Sequence, residues 1–151
     1  MQEECKEFGQ LCEEELRDVW RWRNHPEVRR WMVHKEPIDW SDHLRFVEKL
    51  RNSSQRRYVK VGDLGVVNFK RSGDMVEIGM HKNPKRKGVG ARLMEVALRY
   101  AFDELGAKKV VVRVFADNVR ARRLYERFGF RECGIEEDMV KMELDHENRI
   151  I

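Results

Sequence analysis

The chain has no long hydrophobic run, only three cysteines and only three prolines in 151 residues. Without an apolar run, neither a membrane span nor an export leader is expected, since each needs an uninterrupted apolar stretch. Cys5, Cys12 and Cys133 are odd in number and stand at no metal-ligand spacing. That argues against a disulfide framework or a bound metal, and for a reduced, cytoplasmic chain. Asn52-Ser53-Ser54 matches a glycosylation acceptor, but without an export signal the match is coincidence. A charge block of one sign is also missing. The 31 basic residues are offset by 27 acidic ones, and a net charge of +4 is too small by itself to point to nucleic acid.

What is present suffices for one folded domain over residues 1–151. Hydrophobic residues make up 41% of the chain and charged ones 38%, enough for a packed core under a salt-bridge-rich surface. No repeat, linker or low-complexity tract interrupts it. Leu16, Val19 or Trp20, and Arg23 recur at helical offsets, and that helix must stop before Pro26. A second helix is expected with Ser41 or Asp42 as its cap and Leu44, Val47 and Leu50 on its apolar face. Residues 58–61 and 66–69 read as a hairpin around Gly62-Asp63, and residues 75–80 as a third strand. A helix ending at Gly106 comes next. Residues 110–115 then carry the β-branched run of a central strand. A short helix over residues 119–127 closes at Gly129, and the last strand or strands lie between Arg131 and Leu144. The fold class is therefore α/β, with one mixed sheet flanked by helices.

The stretch Lys85-Arg86-Lys87-Gly88-Val89-Gly90-Ala91 sits between a strand and a helix. Backbone N–H groups at such a junction point at whatever lies over the helix N-terminus, and that geometry suits phosphate. Six basic residues and one acidic residue lie between Lys82 and Arg99. A Walker loop is excluded, because no Gly-Lys-Ser/Thr follows. A dinucleotide fingerprint lacks its third glycine and its leading βαβ unit.

A second cluster narrows the choice. Asn118, Ala121, Tyr125, Gly129 and Phe130 follow the central strand. Together with Lys85-x-x-Gly88-x-Gly90 they resemble the GCN5-related N-acetyltransferase (GNAT) family, whose loop opens with Gln or Arg where Lys85 stands. The resemblance spans nearly the whole chain and implies a mostly antiparallel sheet whose two central strands splay apart. It implies acetyl-CoA as co-substrate and no metal. The cofactor would be bound by Met80, Lys82, Lys87, Gly88, Val89, Gly90, Ala91, Arg92, Asn118 and Arg123. The Met80 N–H would polarise the thioester carbonyl, Asn118 would hold the pantetheine arm, and Tyr125 would protonate the leaving thiolate. A phenol near ~10 suits a thiol near ~8.5 as it becomes basic on leaving. Since no cysteine belongs to either motif, direct transfer is expected rather than a covalent enzyme intermediate.

The acceptor side rests on the first third of the chain. Arg23-Asn24-His25-Pro26, Trp31-Met32, His43-Leu44-x-Phe46 and Gly79-x-x-Lys82-Asn83-Pro84 resemble the branch of the family serving pseudaminic acid biosynthesis. That branch acetylates the 4-amino group of a UDP-linked amino-dideoxy sugar. The likeness implies a nucleotide-sugar partner, with Arg23 on nucleotide phosphate and Trp31, Met32, Phe46 and His81 lining the pocket. Trp31, Met32 and Phe46 also suit a structural core. Where the branch carries an acidic residue on the central strand, Arg113 stands here. Base candidates are therefore Glu77, acting with water, and His81, which shares its strand face and ordinarily titrates in the useful range. Alternatively, ordered water drains the proton from a partly neutral amine with no side-chain base. Alternative readings are an N-terminal acetyltransferase of the ribosomal-protein-alanine type and a CoA-binding module without catalysis. Neither nucleic acid nor membrane is expected as partner, and an exposed sheet edge or apolar helix face would support a homodimer.

Overall fold

Residues that alternate between apolar and polar along the chain place one face of each strand inward, and here that alternation builds one seven-stranded sheet. The computed structural model describes residues 4–151. Its strands are β1 (Cys5–Glu7), β2 (Arg56–Val61), β3 (Gly65–Ser72), β4 (Met75–Lys82), β5 (Lys109–Phe115), β6 (Arg131–Glu136) and β7 (Met139–Asp145), in the spatial order β1-β2-β3-β4-β5-β7-β6. Its helices are α1 (Glu13–Asn24), α2 (Pro26–Arg29), α3 (Trp40–Arg51), α4 (Gly90–Arg99) and α5 (Val119–Arg127).

The strands pair antiparallel except in the middle. There β4 and β5 run parallel, and only Met75 to Glu77 pair with Lys109 to Val111. Both strands then continue, to Lys82 and Phe115, without pairing to each other. The splayed centre implied by the resemblance is thus present, and it opens a gap from Ile78 and Val112 onward.

Two cores cover the two faces. Val67, Phe69, Val76, Ile78, Val112 and Met142 face α4, whose Leu93, Met94 and Leu98 are almost completely buried. Each such side chain contributes about 1.5–3 kcal/mol through removal from water. On the other face Val66 packs against Phe8, Leu11, Leu16, Val19 and Val47 from the N-terminal segment, α1 and α3.

Several elements differ from the sequence reading. The β1 strand is not apparent in the chain because Lys6 and Glu7 break any apolar pattern; its register against Val59 to Val61 of β2 defines it. The cap of α3 is Asp39, whose carboxylate accepts from the Asp42 N–H at 2.9 Å, and not Ser41 or Asp42. On this helix His43 and Val47 turn inward while Leu44 stays 42% exposed. The helix begun by α4 widens over residues 100–104, where the Leu105 N–H reaches the Tyr100 carbonyl, and ends at Gly106 with φ +66°. Among the described residues, no helix is long and apolar enough to cross a membrane.

Candidate active site

The gap between β4 and β5 leaves backbone groups without a strand to bond. The Asn83 N–H donates to the Leu64 carbonyl at 2.8 Å, continuing the β3–β4 register. Backbone groups alternate in direction along a strand, so the N–H groups of Met80 and Lys82 point the other way, toward the departed β5. The Met80 side chain meanwhile packs on the main core. Its N–H is therefore a donor aimed into the gap and held by a rigid strand.

The glycine loop closes one end of this gap. Lys85 N–H bonds the Asn83 side-chain oxygen at 3.0 Å and Arg86 N–H bonds the Asn83 carbonyl at 2.9 Å. The first helical bond of α4 is Leu93 N–H to the Val89 carbonyl. Between these points the N–H groups of Lys87, Gly88, Val89, Gly90 and Ala91 have no backbone partner among the described residues. Val89 at the cap position supplies no side-chain bond, whereas Asp39 caps α3 and Asn118 caps α5. Gly88 adopts φ +70°, the left-handed region that glycine tolerates. Lys87 is exposed and Lys82 half-buried. Arg92 is ion-paired to Glu95 at 2.6 Å, so its guanidinium is already engaged. The loop as a whole is a set of converging donors with a positive helix end behind it, and a diphosphate fits it.

Across the gap, α5 brings Tyr125 into the main core beside Phe130, with ring centroids 5.7 Å apart. Its hydroxyl has no hydrogen-bond partner among the described residues, and burial pushes its pKa up to about 12. The Asn118 side-chain oxygen accepts from the Ala121 N–H at 3.3 Å, which caps α5 and leaves its amide nitrogen to donate elsewhere. Gly90 and Leu124 approach so closely that a Cβ on Gly90 would lie 3.3 Å from Leu124 Cδ2. That contact sets the start of α4 against α5. Arg123, next in sequence to Leu124, is exposed.

The two base candidates have different surroundings. Glu77 is ion-paired to Arg113 of β5, each side chain about one-third exposed (34% and 32%). Arg113 thus engages one carboxylate oxygen and leaves the other. His81 keeps partial exposure as a residue, but both its ring nitrogens are buried and without a partner. Burial, with the nearby Arg23 charge added, pulls its pKa down to about 3. The expectation that His81 titrates in the useful range is therefore corrected: its imidazole is neutral at ordinary pH and a weak proton acceptor.

On the acceptor side the structure separates the predicted residues. Arg23 Nη2 donates to the His34 carbonyl at 2.7 Å, while Arg23 Nη1 is buried with no partner. Trp31 (36% exposed) and the half-buried Met32 belong to neither core cluster and lie on the loop between α2 and α3. Phe46 instead packs edge-on against Tyr58, centroids 4.9 Å apart, within the smaller core. Lys35 places its ammonium 4.1 Å from the centroid of the Phe115 ring at the end of β5. The α2–α3 loop therefore reaches β5, and Arg23 at the end of α1 reaches β4. Three contributors were not singled out from sequence: Arg113 as partner of Glu77, Asn83 as anchor of the glycine loop, and Lys35. Only the Asn-Pro step at Asn83 carries a local signal, that of a turn.

Comparison with known proteins agrees with this geometry. The model of the acetyltransferase (GNAT) domain family matches residues 7–131. "Acetyltransferase PseH" of Campylobacter jejuni is 35% identical over 130 residues, covering 83% of this chain and 82% of that relative. The crystal structure of Campylobacter jejuni N-acetyltransferase PseH in complex with acetyl coenzyme A matches with a TM-score of 0.80 at 28% identity, over 95% of this chain and 98% of that one. Spermidine N-acetyltransferase from Vibrio cholerae, in complex with CoA and spermine, matches with a TM-score of 0.79 over 97% of each chain, and at 23% identity that likeness is one of fold.

Proposed function

The chain belongs to the GNAT acetyltransferase family, and from that premise we propose that it acetylates the 4-amino group of a UDP-linked amino-dideoxy sugar, the step found in pseudaminic acid biosynthesis. Acetyl-CoA supplies the acyl group as an activated thioester. The free N–H groups from Lys87 to Ala91 hold its diphosphate, with Lys82, Lys87 and Arg123 adding charge around it and Arg92 beside it at the start of α4. The amide nitrogen of Asn118, spared by the cap, donates to the pantetheine arm. Met80 N–H faces the thioester carbonyl and stabilises the charge that develops on its oxygen during attack.

Tyr125 carries the proton for the departing sulfur. Its raised pKa keeps it protonated throughout the working range, as a general acid requires. The free oxygen of Glu77 takes the amine proton through water, while Arg113 holds the carboxylate in place. His81, neutral and buried, orients the acceptor through hydrogen bonds. Arg23 Nη1 meets the nucleotide diphosphate, and Trp31 and Met32 flank the base. Phe46 supports that wall from the smaller core. Transfer is direct: Cys133 lies on the outer strand β6, and burial together with the Glu143 carboxylate pushes its thiol pKa up, away from the reactive thiolate.

The observation that carries the acceptor reading is the buried, unpartnered Arg23 Nη1 beside an uncharged His81. An orphaned guanidinium nitrogen there is stabilised by an anionic ligand. The test is acetyl transfer read by mass spectrometry on UDP-4-amino sugars and on N-terminal peptides, with thermal protection by UDP measured in parallel. Transfer to the sugar together with UDP protection is the expected result. Transfer to peptides alone, with no effect of UDP, would overturn it in favour of a protein acceptor.

A further inference from the structure

Asn24 is the last residue of α1, and its side chain is bonded on both sides to a single distant residue. Asn24 Nδ2 donates to the Ile38 carbonyl at 2.8 Å, and Asn24 Oδ1 accepts from the Ile38 N–H at 2.8 Å. A carboxamide, with donor and acceptor side by side on one short stem, satisfies both groups of one residue in this way. Trp20 Nε1, one turn earlier on α1, donates to the same Ile38 carbonyl at 2.6 Å. Ile38 immediately precedes Asp39, the cap of α3. The clasp therefore ties the end of α1 to the start of α3 and closes residues 25–38 into a loop.

That loop carries α2, Trp31, Met32 and Lys35. Inside it Lys35 Nζ donates to the carbonyls of Arg30 (2.9 Å) and Met32 (3.0 Å) while lying against the Phe115 ring. Its other strap is Arg23 to the His34 carbonyl. Apart from Val28, no residue between 25 and 38 is buried, so hydrophobic packing contributes little to fixing its position. Hydrogen bonds must hold it, and those to Ile38 stand at its exit.

We propose that Asn24 is a positioning residue: its paired bonds to Ile38 hold residues 30–38 as a preformed wall over the acceptor end of the gap between β4 and β5, and so set acceptor recognition. This rests on the acceptor lying at that end, as proposed above. Holding the wall in place beforehand spares the acceptor the entropy of ordering it.

The test compares the protein with its Asn24→Ala and Asn24→Asp variants. Amide hydrogen exchange over residues 30–38 should quicken by about tenfold in Asn24→Ala while β3, β4 and β5 keep their protection. In kinetics, KM for the acceptor amine should rise by about tenfold with KM for acetyl-CoA and kcat each within about twofold, because the loop touches the acceptor side alone. Asn24→Asp keeps the acceptor for the Ile38 N–H and loses the donor, so it should fall between the two. Should Asn24→Ala fail to fold, Trp20→Phe removes one bond to the same carbonyl and should quicken exchange in the same segment. Unchanged exchange at 30–38, or a parallel rise of both KM values, would overturn the proposal. The exchange measurement needs no acceptor, and the kinetics can use whichever amine the screen identifies. A failure of the nucleotide-sugar reading is thus distinguishable from a failure of the clasp.

Discussion

Glu77 and Arg113 form an ion pair between the two central strands at the point where these strands part. Glu77 is the last residue of β4 in register with β5, and Arg113 lies two residues beyond its register partner Val111. With both side chains one-third exposed, the pair adds no more than about 1 kcal/mol to stability. Its consequence is geometric, since it fixes a carboxylate at the base of the gap.

Glu77→Gln should therefore lower kcat by about 10- to 100-fold while leaving acetyl-CoA affinity unchanged, as expected when a base acting through water is lost. Steady-state kinetics with titration of acetyl-CoA binding checks this. Full turnover in that variant would assign the amine proton to solvent.

Tyr125→Phe should cut kcat by about 100-fold or more and leave the acetyl-CoA dissociation constant nearly intact. Because the hydroxyl has no protein partner among the described residues, the melting temperature should hold or rise slightly. The raised pKa also has a stability consequence. The phenol titrates near ~10 in the unfolded chain and near about 12 in the fold, so its contribution is complete below pH ~10 and is lost as pH rises toward 12. The phenylalanine variant should lack that alkaline loss in urea titrations.

His81 has the opposite sign. Its folded pKa of about 3 lies below the unfolded value near ~6.5, so its contribution is complete above pH ~6.5 and is lost as pH falls through that window. Allowing for the residue's partial exposure, the loss between about pH 7 and pH 5 is on the order of 1 kcal/mol. Unfolding free energies of the wild type and of His81→Asn across that range test this, and the variant should show the flatter acid limb. Arg23→Gln, which removes the second cause, should flatten it in part. Parallel limbs in all three proteins would contradict the depressed pKa.

Two glycines near the site should respond differently to alanine. At Gly88 a Cβ meets nothing within 4 Å, and only φ +70° opposes it. The cost to stability is about 1 kcal/mol, and acetyl-CoA binding should weaken as the loop relaxes. At Gly65 a Cβ would fall 2.4 Å from the His81 carbonyl oxygen and 2.9 Å from Lys82 Cα. Those are backbone atoms of the neighbouring strand, so Gly65→Ala should destabilise the whole protein by about 3 kcal/mol or more. Thermal unfolding and calorimetric titration of both variants separate the two effects.

The chain itself determined whatever depends on neighbours in sequence. The β-branched run at 110–112 makes a buried strand because such side chains suit a pleated surface. Asn118 caps α5 because a short amide reaches the N–H three residues on. The glycine loop between a strand and a helix exposes its N–H groups for the same local reason, and the motif around Tyr125 identified the family. Tertiary structure alone decided what depends on residues far apart. Arg113 meets Glu77 only because β4 and β5 pair for three residues and then part. His81 is ordinary in sequence and a weak acceptor in the fold, since desolvation is set by what packs around it and Arg23 arrives from another element. Phe46 goes to the smaller core although it is as apolar as Trp31, because α3 lays it against Tyr58 of β2 while Trp31 sits on a loop outside both cores. Asn24 and Ile38 join across 14 residues, a distance no local pattern reports.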